Sequence, residues 1–334
     1  MFKKFFRDHP VHKKIVPVFD RLFLLRPTLF FPVWVMLTVG MAAAKMNIDR
    51  YQVWIVDFDY RTIFLFIGMT LISGSTFIIN QIKDEKGDKL NKKLFLVGDF
   101  ISHDQARKIL IGSGVAGIIA LLLSGWAMLL AGLLLYLFWG VLYNLEPFHF
   151  KNKPLLGMIT NTLAGLIIYG SGWVHVYLGS NADLSEMIGS KMLLIAIPYL
   201  LCYSATSMLT TIPDLKGDQE TGAKTFPLQF GQWTTIFIGT LFVMSAFLLG
   251  YKLSDPVSTT AALVSLPFYG VALIRNKIKD VLRAIRYSIL VLAVFVMSIY
   301  PLLFPAVFVV FYLSKYYYWH RFDLHYPTFL VDND

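Results

Sequence analysis

Nine mainly apolar stretches run through this chain, at 22–44, 62–82, 108–123, 126–145, 155–178, 191–212, 233–250, 257–274 and 287–313. About 20 such residues cross the hydrocarbon core of a bilayer as a helix. Inside hydrocarbon, only helices and closed barrels satisfy their own backbone polar groups. The runs are continuous rather than alternating, so they read as helices. The predicted fold is an all-α integral membrane protein, with nine transmembrane helices in a bundle. Composition agrees, because 15% of the 334 residues are charged against roughly 25% in soluble domains. Residues 109–145 are almost unbroken in apolar character, and Ser124-Gly125 supplies the turn that divides them.

Charge orients the bundle. With the N-terminus in the cytoplasm, 23 of the 30 Lys and Arg fall on the cytoplasmic side, as basic residues do in membrane proteins. The chain 1–334 then reads as a single transmembrane domain. Residues 1–21 form a basic interfacial N-terminus, with Phe2, Phe5 and Phe6 beside lysines as an anchor on anionic membrane lipid. Residues 83–107 and 213–232 form cytoplasmic cap loops, and 314–334 an extracytoplasmic tail that reads as an aromatic interface belt. No cleaved signal or organelle-targeting segment is evident, which makes a prokaryotic cytoplasmic membrane the expected location. No basic groove with interleaved aromatics is present, which argues against nucleic acid. The single cysteine, Cys202, excludes an intrachain disulfide. The sequence names no protein partner.

Two polar segments interrupt this pattern at equivalent places. The second apolar run ends in NQIKDEKGD, with Asn80, Asp84 and Asp88 four residues apart; the sixth ends in DLKGD, with Asp214 and Asp218 four apart. Steps of four advance only ~40° beyond a full helical turn, so each set forms a stripe on one face. Both runs travel from outside to inside, so both stripes emerge on one side of the membrane. Their spacing of four spans suggests two parallel four-helix halves with a ninth span appended. Unpaired carboxylates gathered in a cleft repel and lose hydration. A hard divalent cation relieves that, and Mg²⁺ prefers one or two carboxylates plus phosphate oxygens. Nearby Lys83, Lys86, Lys92, Lys93, Lys216 and Lys224 suit the phosphate side of such a site. Either motif alone reads equally well as a solvated helix end; two at equivalent positions favour the metal–diphosphate reading.

These residues resemble the UbiA superfamily of intramembrane prenyltransferases. NQIKDEKGD is similar to its NxxxDxxxD motif and DLKGD to its DxxxD motif. LLRPTLFF at 24–31, VGDFISHDQARK at 97–108, YNLEPFHFKNKPLLG at 143–157 and DLKGDQETGAKTFP at 214–227 resemble further family segments in order. The chain departs from the pattern in Asn80-Gln81, where many members have Asn-Asp, and in Lys93-Leu94-Phe95, where Arg-Pro is usual.

The resemblance implies a bundle around a central chamber open to lipid, capped by the two cytoplasmic loops. It implies Mg²⁺-dependent transfer of a polyprenyl group from its diphosphate to a small, aromatic acceptor, in quinone or related isoprenoid-lipid biosynthesis. Asn80, Asp84, Asp88, Asp214 and Asp218 are then metal ligands, the four aspartates serving catalysis. Lys151, Lys224, Arg26 and Tyr143 are expected to bind the diphosphate. Polar residues inside spans tend to face the bundle interior, so Asn161, Tyr203 and Ser204 are candidates for an acceptor pocket or for helix packing. The competing readings are a secondary transporter that couples a cation through the paired aspartates, and a UbiA-type terpene cyclase.

Overall fold

The structure is a computed structural model that describes residues 9–49, 59–90 and 96–328. Its helices, in order, are α1 (Pro10–Phe23), α2 (Phe30–Ile48), α3 (Tyr60–Lys83), α4 (Glu85–Leu90), α5 (His103–Ser124), α6 (Trp126–Leu135), α7 (Pro154–Leu178), α8 (Ser190–Leu209), α9 (Leu215–Glu220), α10 (Phe226–Phe230), α11 (Gln232–Lys252), α12 (Pro256–Arg275), α13 (Ile278–Ile299) and α14 (Leu303–Phe322). Among the described residues, eight helical segments are long and apolar enough to cross a membrane, and Trp126–Leu142 is a shorter apolar helix. The protein is an all-helical integral membrane protein.

Local chemistry sets the helix ends. The Asp59 carboxylate caps α3 by accepting from the Thr62 amide at 2.8 Å. Ser102 and Gln105 form a reciprocal capping box at the start of α5, which satisfies two backbone donors that a helix start leaves free. Gly125 breaks the 109–145 run at φ +148°, where the sequence predicted it. The next helix is not regular throughout. After Leu135 it continues as a π-helical turn over Tyr136–Leu142, with the Tyr143 amide donating to the Phe138 carbonyl five residues back.

Helices α2 and α7 approach closely. A Cβ on Gly40 would stand 2.0 Å from the Tyr169 carbonyl oxygen, and one on Gly172 2.0 Å from that of Leu37. Small residues permit such backbone contact within a membrane. Helix α3 packs on α5 as α8 packs on α11, and the short helices α4 and α9 touch one another. That correspondence matches the repeat inferred from the two acidic motifs.

Two expectations are corrected at the C-terminal end. The span expected at 287–313 is two helices, because the chain turns at Tyr300–Leu302 around Pro301, which has no amide to continue α13. Tyr300 lies at the end of the bundle far from the acids, stacked on Phe66 near the start of α3. Helix α14 then runs back along the bundle and packs against α1. The tail was expected at 314–334 on the opposite face from the acidic motifs; its described part, 314–328, reaches the same end as they do, and Tyr318, Phe322 and Tyr326 line one cavity with Asp84 and Asp88. The first apolar segment, Pro10–Ile48, contains the expected span but is interrupted within it, since Arg26 in a left-handed conformation (φ +53°) separates α1 from α2.

Candidate active site

The acidic stripe on α3 survives the end of the helix. Asp84 is the C-cap residue, yet its amide still donates to the Asn80 carbonyl at 2.8 Å, and the Asp88 amide to that of Asp84 at 2.9 Å. The second motif is built differently. Thr210 ends α8, Pro213 opens a single 3₁₀ turn over Ile212–Asp214, and Asp218 lies in the first turn of α9. Both sets converge. Asn80, Asp84, Asp88, Asp214 and Asp218 all line one cavity of about 960 Å³, together with Arg26, Lys83, Tyr143, Lys151 and Asn161.

Within the cavity, charges of opposite sign meet. The Lys151 ammonium pairs with the Asp84 carboxylate, and Arg26 donates to Asp88 Oδ2 at 3.2 Å. Asn80 Nδ2 donates to Asp84 Oδ2 at 2.5 Å and to Asn144 Oδ1 at 3.1 Å. Asn144 is 4% exposed and donates in turn to the Trp139 carbonyl at 2.6 Å. Deeper in, Trp139 Nε1 donates to Asn161 Oδ1 at 2.9 Å, and Asn161 Nδ2 to Ser207 Oγ at 3.1 Å. Gln81, the residue that departs from the family pattern, also lines the cavity and donates to the Leu24 carbonyl at 2.7 Å.

Not every expected residue lines this space. Lys216 and Lys224 lie outside the lining, though Thr225 belongs to it. Tyr203 and Ser204 also lie outside: the Tyr203 ring packs against Gly165, and Ser204 bonds Thr162 at 2.6 Å and the Leu200 carbonyl at 2.7 Å. These contacts are helix packing, the alternative that the sequence left open. The Lys86 side chain, Lys92, Lys93, Leu94 and Phe95, and the N-terminal Phe2, Phe5 and Phe6, lie outside the described residues. Trp139, Asn144 and Ser207 were missed by sequence reasoning. Their spacing repeats no motif, and only their polarity within apolar runs could have flagged them.

At the rim, Glu85 bonds Lys89 at 2.8 Å and His103 at 3.0 Å. The Lys89 hydrogen bond holds its carboxyl below the ordinary range, against a smaller opposing effect of burial. Gly98, at φ +89°, brings the 96–101 turn onto this cluster, and a Cβ there would stand 2.7 Å from Glu85 Oε1.

The donor set fits Mg²⁺ with diphosphate. Among the described residues, no three His, Cys, Asp or Glu side chains converge into a cage. Instead, carboxylates from two walls share the cavity with Arg26, Lys83 and Lys151. A calcium-type site needs six to eight oxygens from the protein and its waters, whereas Mg²⁺ takes one or two carboxylates and completes its shell with phosphate oxygens and water.

Residues 33–280 match the family model of the UbiA prenyltransferase family. A 2-acylphloroglucinol 4-prenyltransferase of Humulus lupulus is 29% identical over 181 residues, which cover 52% of this chain and 43% of that protein. A 2-acyl-4-prenylphloroglucinol 6-prenyltransferase of the same plant is 26% identical over 237 residues, covering 68% and 54%. The chain spans about half the length of the curated relatives it matches. Among solved structures, a UbiA homolog from Archaeoglobus fulgidus bound to GPP and Mg²⁺ superposes with TM-score 0.61 at 17% identity, over 84% of this chain and 99% of that one. A UbiA homolog from Aeropyrum pernix in its apo form gives TM-score 0.63 at 16% identity, over 80% and 96%. At these identities the structures establish a shared fold.

Proposed function

The chain belongs to the UbiA prenyltransferase family, and from that premise we propose that it transfers a prenyl group from an allylic diphosphate to an aromatic acceptor. The observation that carries this reading is the convergence of Asn80, Asp84, Asp88, Asp214 and Asp218 in one cavity with Arg26, Lys83 and Lys151. The phloroglucinol acceptors named for the plant relatives support an electron-rich ring as the acceptor class. Quinone precursors and related isoprenoid-lipid intermediates have the same chemistry.

In this reading the carboxylates of both motifs would hold Mg²⁺, with Asn80 beside Asp84. When bound, the metal supplies positive charge to a departing diphosphate. Lys151, Arg26 and Lys83 then meet the phosphate oxygens through charge-assisted hydrogen bonds. Their charge is fixed before reaction and acts where negative charge grows, which is the largest electrostatic contribution such a site can make. The C1–O bond of the prenyl diphosphate breaks and its electron pair leaves with diphosphate. A ring carbon of the acceptor bonds to the allylic cation, and the ring then loses a proton. The Trp139–Asn161–Ser207 chain supplies polar groups at the depth where an acceptor hydroxyl can be oriented. Lys224 would reach the diphosphate only by entering the cavity as substrate binds.

The basic residues gathered at the acidic end support a cytoplasmic active site. Turnover of geranyl diphosphate with 4-hydroxybenzoate and an acylphloroglucinol as acceptors tests the function. Asp84→Ala and Asp214→Ala should each lower prenylation by at least about 10²-fold, while the protein stays folded in the membrane. Retained turnover in both variants at saturating Mg²⁺ contradicts the assignment.

A further inference from the structure

Part of the cavity wall comes from two helices that lie outside residues 33–280. Helix α1 contributes Phe23, while α14 and the residues after it contribute Tyr318, Phe322 and Tyr326. These rings contact one another: Tyr318 meets Phe23 at 5.5 Å, Phe322 at 6.0 Å and Tyr326 at 5.0 Å between centroids. The wall lines the same cavity as Arg26 and Asp88, two of the residues that the diphosphate reading assigns to the leaving group and its metal.

A polar buckle holds this wall in place from behind. Asp20, 3% exposed, accepts from the Tyr317 hydroxyl at 2.6 Å and from the Arg321 guanidinium at 2.7 Å. Phe23 stacks on Tyr317 at 4.0 Å, and Arg321 lies 3.7 Å over the Phe100 ring. The buckle thus ties α1, α14 and the 96–101 turn together. None of Asp20, Tyr317 and Arg321 lines the cavity.

We propose that this aromatic wall excludes water from the allylic cation, and so sets how the cation divides between acceptor and hydrolysis. Asp20, Tyr317 and Arg321 are the positioning residues. The inference rests on the prenyl-transfer reading. Aromatic faces attract a cation through their π systems, and Phe23 and Phe322 carry no lone pair to trap it. In the competing hydrolysis the C1–O bond breaks and its electron pair leaves with diphosphate. A water oxygen bonds to the cationic carbon, one proton passes to solvent, and a free prenol results. A closed site suppresses such side reactions by keeping water out.

The test uses the full chain in lipid nanodiscs with geranyl diphosphate and Mg²⁺, measuring geraniol and inorganic diphosphate with and without the phenolic acceptors. Phe322→Ala and Tyr326→Ala, both at half-buried positions, should raise geraniol output about five- to tenfold, with KM for geranyl diphosphate within about twofold. Asp20→Asn should act in the same direction, and Tyr326→Phe, which keeps the ring, should give a lower ratio of geraniol to prenylated product than Tyr326→Ala. A merely structural role would lower total turnover without moving the ratio of prenol to prenylated product. Unchanged geraniol output in Phe322→Ala and Tyr326→Ala, with normal thermal unfolding, overturns the proposal. If the unaltered protein releases no more diphosphate than Asp84→Ala under any of these conditions, the prenyl-transfer reading falls, and this inference with it.

Discussion

Asn144 shows how much a single buried amide can govern in this cavity. It accepts from Asn80 and donates to the Trp139 carbonyl, so it fixes a residue of the acidic stripe without belonging to it. Removing such a supporting partner costs roughly 10- to 100-fold in metal affinity at known sites. On the proposed reading, Asn144→Ala should therefore raise the Mg²⁺ concentration for half-maximal turnover about tenfold, with little change at saturating metal. A Mg²⁺ titration of turnover checks this, and an unshifted midpoint would remove Asn144 from the site. The five stripe residues were legible in the sequence because a step of four is a helical repeat. Asn144 was not, because its bond to Trp139 spans five residues and depends on a backbone irregularity. Tyr203 and Ser204 show the converse, since polarity inside a span does not say which neighbour a side chain faces.

The π-helical turn over Tyr136–Leu142 is that irregularity. One extra residue in a turn rotates everything beyond it by ~100° relative to a regular helix, and π turns recur at functional sites. Here the turn brings Trp139, Tyr143 and Asn144 to one cavity. Deleting Leu137, which is exposed on the outer face, should restore regular register and turn Tyr143 and Asn144 off the site. Turnover should fall at least about 10²-fold while the variant still inserts and unfolds cooperatively; near-normal turnover would show that the turn is incidental. Apolar periodicity announces a helix but not a one-residue insertion in it. The same blindness merged α13 with α14, where Pro301 marks the turn within a long apolar run.

Across the whole molecule, the return of α14 determines what lies on each side. The apolar runs revealed a helical membrane bundle, and the paired motifs revealed its internal correspondence. The final direction of the chain depended on one proline. With α14 running back, Lys315 and Arg321 join the face that already holds most of the basic residues. Cysteines in a Cys202→Ser background test this arrangement. His325→Cys and Gln219→Cys, both exposed, should react with a membrane-impermeant maleimide from one side. Asn181→Cys, in the exposed connection between α7 and α8, should react only from the other. Labelling of positions 325 and 219 from opposite sides would contradict the architecture.

The Lys151–Asp84 pair carries a further consequence, on the proposed reading. A carboxylate engaged by lysine resists an arriving cation, and a lysine engaged by carboxylate resists an arriving anion. Each ligand thus removes the rival of the other. Affinity for either must rise when the other is present, by one common factor whichever is added first. Metal without prenyl diphosphate, or prenyl diphosphate without metal, would gain little hold on a centre that already neutralises itself.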